Sequence, residues 1–198
     1  MNRGVFGGTF DPPHIGHLIL AEELCHELDL DVVHWVLTPK PPHKPDHLIS
    51  EVEHREKMLQ VCLQGHDNFV LSRVDLDRTP PHYAADTVAI FRDRYPEDEL
   101  VYMIGEDSLR DLPEWVRPQE FLSYIDRLGV LSRPRVETNF RLLEAKISGI
   151  TGKTRLVSEP LMQVSSSMIR DRIRTGRPYR FFLLPAVMEI IEEHHLYR

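Results

Sequence analysis

GGTFDPPHIGH, residues Gly7 to His17, follows a short apolar start (Val5, Phe6) and leads into LILAEELCHEL, residues 18–28. In that second stretch Leu18, Ala21, Cys25 and Leu28 recur at helical spacing, so the whole reads as strand, glycine turn, helix. Gly7 and Gly8 allow a tight turn and bring backbone amides close to an anion. His14 and His17, three apart at the helix start, share one face and lean back toward its N-terminus. With the hydroxyl of Thr9, these groups describe a site for phosphate. Neither common phosphate loop fits, because the GK[ST] ending of a P-loop is missing and the glycines do not follow GxGxxG. As half of a zinc site, the histidine pair lacks an evident third ligand.

Outward from this segment, short apolar runs alternate with helical ones. Arg3–Phe6, Val32–Leu37, Phe69–Leu71, Leu100–Ile104, Leu128–Leu131 and Arg155–Val157 read as strands. Ile15–Leu28, Val52–Leu63, Ala85–Tyr95, Gln119–Ile125, Asn139–Ile147, Ser166–Thr175 and Ala186–His194 read as helices. The alternation predicts an α/β fold, a mainly parallel, doubly wound sheet with helices on both faces. Ligands of such sheets bind beyond the carboxyl ends of the strands, near the switch in strand order, which is where the opening loop falls. One domain over residues 1–198 is expected, with 165–198 as a C-terminal helical portion.

With 198 residues and 41% hydrophobic content, the chain can bury a full core. A formal charge of −7 argues against a broad footprint for nucleic acid or an anionic membrane. Charge is nevertheless uneven. Residues 170–180 hold five arginines (170, 172, 174, 177, 180) and one acid, Asp171, a local balance of +4 that suits a small anionic ligand. Cys25 and Cys62 fall in apparent helices without CxxC spacing and read as buried reduced thiols. The start MNRGVFGGTF lacks the apolar run of a signal peptide, and no stretch approaches a membrane span. A soluble, cytoplasmic protein is expected, with oligomeric state open and a homo-oligomer allowed.

A second motif lies far along the chain, VSSSMIR, Val164 to Arg170. Its serines suit a helix N-cap, and Arg170 falls about one turn inside. A helix start offers free amides and a favourable dipole, so Ser165, Ser166, Ser167 and Arg170 could together hold a pyrophosphate-sized charge. TPKPPHKPDH, residues 38–47, reads as a loop after the second strand in which Lys40 and Lys44 are free to reach a ligand or simply to face water.

GGTFDPPHIGH together with VSSSMIR resembles the nucleotidyltransferase superfamily marked by a (T/H)xGH loop and an ISSTxxR helix start. Within it the chain is similar to the bacterial nicotinate-nucleotide adenylyltransferases. PPHKP at 41–45, HREKML at 54–59, YAADT at 83–87, IGEDSLRDLPEW at 104–115, LSRP at 131–134 and the closing LLP…HLYR fall in family order. The resemblance implies a Rossmann-like fold. It also implies transfer of the adenylyl group of ATP to nicotinate mononucleotide by direct in-line attack on the α-phosphate, with pyrophosphate leaving. Magnesium is implied with ATP, without a dedicated protein cage.

By the same resemblance His17, His14 and Thr9 are catalytic. Gly7, Gly8, Phe10, Gly16, Gly105, Asp107 and Ser166, Ser167, Met168, Ile169 and Arg170 join them around ATP. Lys44, Tyr83, Ala84, Asp86, Thr87, Trp115 and Arg133 fall to the mononucleotide, with Trp115 stacking on the pyridine ring. The helix beginning near Ala84 would offer amide donors to the nicotinate carboxylate. Three positions depart from the family pattern: His82 stands for a serine, Ala84 for a threonine and Ser167 for a threonine. Nicotinamide mononucleotide is the nearest rival acceptor. Phosphopantetheine adenylyltransferase shares both signatures but not the YAADT and LPEW regions.

Overall fold

The strand-forming runs carry apolar residues at successive positions because both faces of the sheet are covered. In the computed structural model, which describes residues 1–40, 49–132, 138–158, 160 and 163–198, they form one parallel sheet. The elements run β1 (Asn2–Gly8), α1 (Ile15–Glu27), β2 (Val32–Leu37), α2 (Val52–Leu63), β3 (Phe69–Ser72), α3 (Ala84–Arg94) and β4 (Glu99–Gly105). They continue as α4 (Glu106–Asp111), α5 (Pro118–Tyr124), β5 (Arg127–Leu131), α6 (Phe140–Lys146), α7 (Ile150–Lys153), β6 (Thr154–Val157), α8 (Ser166–Arg174) and α9 (Pro185–Glu193). Single 3-10 turns cover Leu112–Glu114 and Arg180–Phe182.

Among the described residues the six strands lie in the order β3-β2-β1-β4-β5-β6, and every pairing is parallel. This is the expected Rossmann-like, doubly wound α/β sheet. Strand order reverses between β1 and β4, so their carboxyl ends bound the crevice where such folds take ligands.

Period-two alternation sends neighbouring side chains to opposite cores. On β4, Leu100, Tyr102 and Ile104 join Val88, Phe91, Leu109, Phe121 and Leu143 on one face. Val101 and Met103 join Phe6, Trp35, Leu24 and Leu59 on the other. A third apolar cluster lies outside the sheet, where Met58 and Cys62 of α2 meet Ile169 of α8 and Val187 and Ile191 of α9. It anchors α8 and α9 on α2. Both cysteines are buried free thiols, and burial pushes Cys62 up to about 12.

At the amino end of the sheet, Arg3 ties strand to loop. Its guanidinium pairs with Asp98 (2.5 Å), lies 3.6 Å from the Tyr95 ring centre and meets His34 Nε2 at 2.6 Å. Burial, then the Arg3 charge, pulls the His34 imidazole down to about 4, so at neutral pH it is uncharged and its Nε2 accepts from Arg3.

Two short helices were not expected from the sequence. Helix α4 is six residues, started by an extended Gly105 and followed by the 3-10 turn that carries Pro113. Helix α7 is four residues after Gly149, which sits at φ 84. Neither is long enough to show a helical period.

Candidate active site

The opening loop sits at the carboxyl end of β1, as its position in the chain requires. Gly7 and Gly8 are the last residues of that strand rather than the turn itself. The left-handed residue is Phe10, at φ 45. Gly7 serves close approach: a Cβ there would lie 2.6 Å from the buried Tyr102 hydroxyl on β4. Gly16 is similarly confined, since a Cβ would meet the His14 ring at 3.1 Å and Val164 at 3.3 Å.

His14 is the N-cap of α1 and is 2% exposed, while His17 is the third residue of that helix. Their rings stack at 3.7 Å between centres, 18° from parallel. His17 Nδ1 accepts the backbone N–H of His14 at 3.2 Å. A neutral imidazole that accepts at Nδ1 carries its proton on Nε2, so His17 is fixed as a donor at its outer nitrogen. Phe10 supports the ring edge-on at 5.1 Å. Thr9 is half-buried, and its carbonyl accepts Arg55 Nη1 at 3.0 Å.

The second motif arrives at the same place. Ser165 caps α8, its hydroxyl accepting the Met168 N–H at 3.2 Å. Ser166 Oγ donates to the Pro12 carbonyl at 2.9 Å, across 154 residues of sequence. Arg170 Nη1 donates to the Asp11 carbonyl at 2.7 Å, and its Nη2 lies 3.4 Å from Ser167 Oγ. A guanidinium has five N–H groups, so further donors are left for a phosphate. Ile169 is fully buried as the root of the helix. The N-termini of α1 and α8 therefore flank one loop, and two helix dipoles favour an anion there.

Gly105 ends β4 and begins α4, and Asp107 lies half-buried in its first turn, at the carboxyl end of the strand beside β1. Trp115 follows the 3-10 turn. Its half-buried ring packs edge-on against Tyr102 (6.2 Å, 79°) and Phe121 (5.4 Å, 67°), leaving part of its surface exposed.

Tyr83 is the N-cap of α3, and Asp86 and Thr87 both turn their N–H groups onto the Tyr83 carbonyl, at 3.1 and 3.2 Å. Helix geometry leaves the amides of Ala84 and Ala85 for an outside acceptor. Thr87 is 3% exposed, its hydroxyl donating to Asp75 at 2.8 Å and accepting from Arg78 at 3.2 Å, so it braces the helix start. His82, the departure from serine, is buried with Nε2 3.2 Å from the Arg78 carbonyl. Lys44 and Arg133 lie outside the described residues. Among the described residues no group of three or more His, Cys, Asp or Glu is placed to hold a metal ion.

Four residues absent from the sequence reading complete the surroundings. Arg55, 2% exposed, donates to the carbonyls of Ser50 (2.9 Å), Thr9 (3.0 Å), Thr38 (2.9 Å) and Pro39 (2.7 Å). Asp11, inside the motif, accepts from Tyr197 Oη at 2.6 Å and from the Ser50 N–H at 3.3 Å. Arg117, left-handed at φ 57, pairs with Asp86 and lies 5.7 Å from the Tyr83 ring centre. Asp11 does carry a signal in the sequence, because an acid inside a loop read as a site for phosphate needs donors that turn it away from the anion. The other three carry no mark in sequence beyond lying in or near family motifs.

Two helix N-termini, an imidazole and an arginine converge at the switch point of a parallel sheet, where such folds take their ligands. In agreement, the family described as cytidylyltransferase-like matches residues 5–172. A relative from Thermomicrobium roseum, named a probable nicotinate-nucleotide adenylyltransferase, is 42% identical over 98% of this chain and 91% of its own length. The nicotinate-nucleotide adenylyltransferase of Bacillus subtilis is 37% identical over 98% of this chain and 97% of its own. For the fold, the structure of Plasmodium falciparum nicotinic acid mononucleotide adenylyltransferase complexed with NaAD gives a TM-score of 0.82 at 17% identity, covering 99% of this chain and 97% of that one. The chain belongs to the cytidylyltransferase-like nucleotidyltransferases and, within them, to the nicotinate-nucleotide adenylyltransferase family.

Proposed function

We propose that the Gly7–His17 loop and the start of α8 together hold the phosphates of ATP while nicotinate mononucleotide attacks. A phosphate oxygen of the mononucleotide forms the new bond to the α-phosphorus, the bond from that phosphorus to the β-phosphate oxygen breaks, and pyrophosphate leaves. Nicotinate adenine dinucleotide, an intermediate of NAD biosynthesis, is the product. No covalent enzyme intermediate is needed, so the protein supplies positioning and charge stabilisation. The observation that carries this reading is the meeting of the two motifs, Ser166 on the Pro12 carbonyl and Arg170 on the Asp11 carbonyl.

In this reading His17 Nε2 donates to the α-phosphate as charge builds there. His14 holds the ring parallel beside it, and the amides of Gly8 and Phe10 with Thr9 hold the neighbouring oxygens. Ser166, Ser167 and Arg170, with the amides of Met168 and Ile169, take the β- and γ-phosphates. Asp107 and Gly105 sit where a ribose would lie over the end of β4. The amides of Ala84 and Ala85 receive the nicotinate carboxylate, with Tyr83 beside them, and Asp86 keeps Arg117 close. A read-out through backbone amides makes the alanine at position 84 tolerable. Lys44 and Arg133 are proposed as additional phosphate or ring-side contacts.

Magnesium, when bound to the ATP phosphates, neutralises charge on the departing pyrophosphate. The residues present suit a cation carried mainly by substrate oxygens: the carboxylate within the loop, Asp11, is 2% exposed and already engaged by Tyr197 and Ser50. Residues 1–198 are read as one domain whose portion from 165 onward completes the ATP site. Among the described residues no helix is long and apolar enough to cross a membrane. With two reduced thiols, the protein is proposed to work in the cytoplasm on ATP and nicotinate mononucleotide, with no nucleic-acid or membrane partner.

Trp115→Ala tests the acceptor half of this assignment. Loss of a base-stacking ring removes about 1–3 kcal/mol, so KM for nicotinate mononucleotide should rise about tenfold or more. KM for ATP should stay within about twofold, because Trp115 is not among the groups assigned to the ATP phosphates. A larger loss of ATP affinity than of mononucleotide affinity would show that Trp115 does not stack on the pyridine.

A further inference from the structure

We propose that Tyr197 is a positioning residue for the phosphate loop, acting through Asp11. The inference deepens the assignment of Gly7–His17 as the phosphate site and rests on it.

Asp11 lies between the left-handed Phe10 and the capping His14, in the part of the loop that turns the chain from β1 into α1. A carboxylate facing outward there would repel the phosphates that the loop is meant to hold. It is instead drawn inward. Oδ1 takes the Tyr197 hydroxyl at 2.6 Å, Oδ2 takes the Ser50 N–H at 3.3 Å, and the main-chain carbonyl takes Arg170 at 2.7 Å. Three segments remote in sequence thus fix one residue.

Backbone conformation is spent on making the Tyr197 contact. After α9 ends, His195 adopts φ 52 and the Leu196 N–H closes back on the Ile191 carbonyl at 3.0 Å. Tyr197 itself sits at φ 65. The turn at His195 is an ordinary left-handed helix cap, whereas the left-handed Tyr197 beyond it is uncommon for an aromatic residue and persists only where its surroundings enforce it. The ring packs in the apolar cluster that joins α2, α8 and α9. A phenylalanine would serve that packing equally well, so the hydroxyl is what the packing does not explain. Burial, then the Asp11 charge, pushes the Tyr197 phenol well above its ordinary value, which keeps it protonated and a donor at working pH.

The test uses the full chain carrying Tyr197→Phe, assayed with ATP and nicotinate mononucleotide. Because small misplacement of a reacting group costs up to about a hundredfold, kcat/KM for ATP should fall about tenfold, mostly in kcat. Deuterium uptake by the segment 7–17 should quicken while uptake by β4 stays as in the parent. Asp11→Ala, which removes the acceptor at the other end of the same bond, should give at least a similar loss, and the double variant should lose little more than Asp11→Ala alone. Unchanged turnover with unchanged exchange in segment 7–17 would overturn the proposal. So would faster exchange throughout the protein with normal kcat, which marks a merely structural tyrosine. His17→Ala assayed alongside separates the two readings. If it too is silent the phosphate-site assignment fails, and if only Tyr197→Phe is silent the positioning role alone fails.

Discussion

His17→Ala is expected to lower kcat by about a hundred- to a thousandfold, the usual cost of deleting one preorganised donor to a developing oxyanion. The reason lies in how the donor is fixed. Nδ1 of His17 is occupied by the His14 N–H at 3.2 Å, and the ring stacks on His14 (3.7 Å) and meets Phe10 edge-on (5.1 Å). Nε2–H is therefore aimed before substrate arrives, and little reorganisation is needed during transfer. The fold should survive, since what is lost structurally is one cap contact worth about 1 kcal/mol. KM for ATP should change much less than kcat, because several other groups share ground-state binding. Rapid-quench assays with circular dichroism on the same sample check both halves. A variant that folds normally and turns over at the parental rate would remove His17 from the mechanism.

The second large effect is on stability. Arg55→Met keeps the volume of a fully buried side chain and deletes donors to four carbonyls at once, those of Ser50, Thr9, Thr38 and Pro39. A buried acceptor left without a donor costs about 1–3 kcal/mol, so a loss of about 4 kcal/mol or more in unfolding free energy is expected. Losses of that size are exceptional for a single substitution and point to a broken buried network. Asp11, whose charge offsets the desolvation of Arg55, also loses its neighbouring positive charge. Urea denaturation measures the effect directly. A loss below about 1 kcal/mol would mean that other donors reach those carbonyls and that Arg55 is not the tie between the loop, β2 and α2.

Arg55 also shows where the sequence was silent. The six strands and seven of the helices were legible because their patterns arise from local burial: Leu100–Ile104 is apolar at every position since both faces of β4 are packed, and α1 buries Leu20, Ala21, Leu24 and Cys25 along one side. Their ends shift by at most two residues, where local features such as the Ser165 cap and Pro185 at the first position of α9 decide the boundary. Helices α4 and α7 were not legible, being too short to repeat. Of the site, the histidine pair, the Ser165 cap and Arg170 were visible because the motifs are compact. Their convergence followed only from the parallel order of β1 and β4 and the packing of α8 on α2. The glycine pair suggests the turn, whereas Phe10 makes it and Gly7 yields room to Tyr102. Contacts such as Tyr197 with Asp11 depend on long-range placement, and no local period or spacing encodes them.

In the proposed site the acceptor is chosen by a different part of the chain from the phosphate grip, the α3 amides and Trp115, so acceptor choice is tested by itself. A single-turnover reaction offers ATP to the protein with nicotinate mononucleotide and nicotinamide mononucleotide in equal amounts, and the products are separated by chromatography. Nicotinate adenine dinucleotide is expected as the main product and the amide dinucleotide as a minor one, with one pyrophosphate released per dinucleotide formed. Predominant formation of the amide dinucleotide, or release of phosphate in place of pyrophosphate, would contradict the proposed reaction.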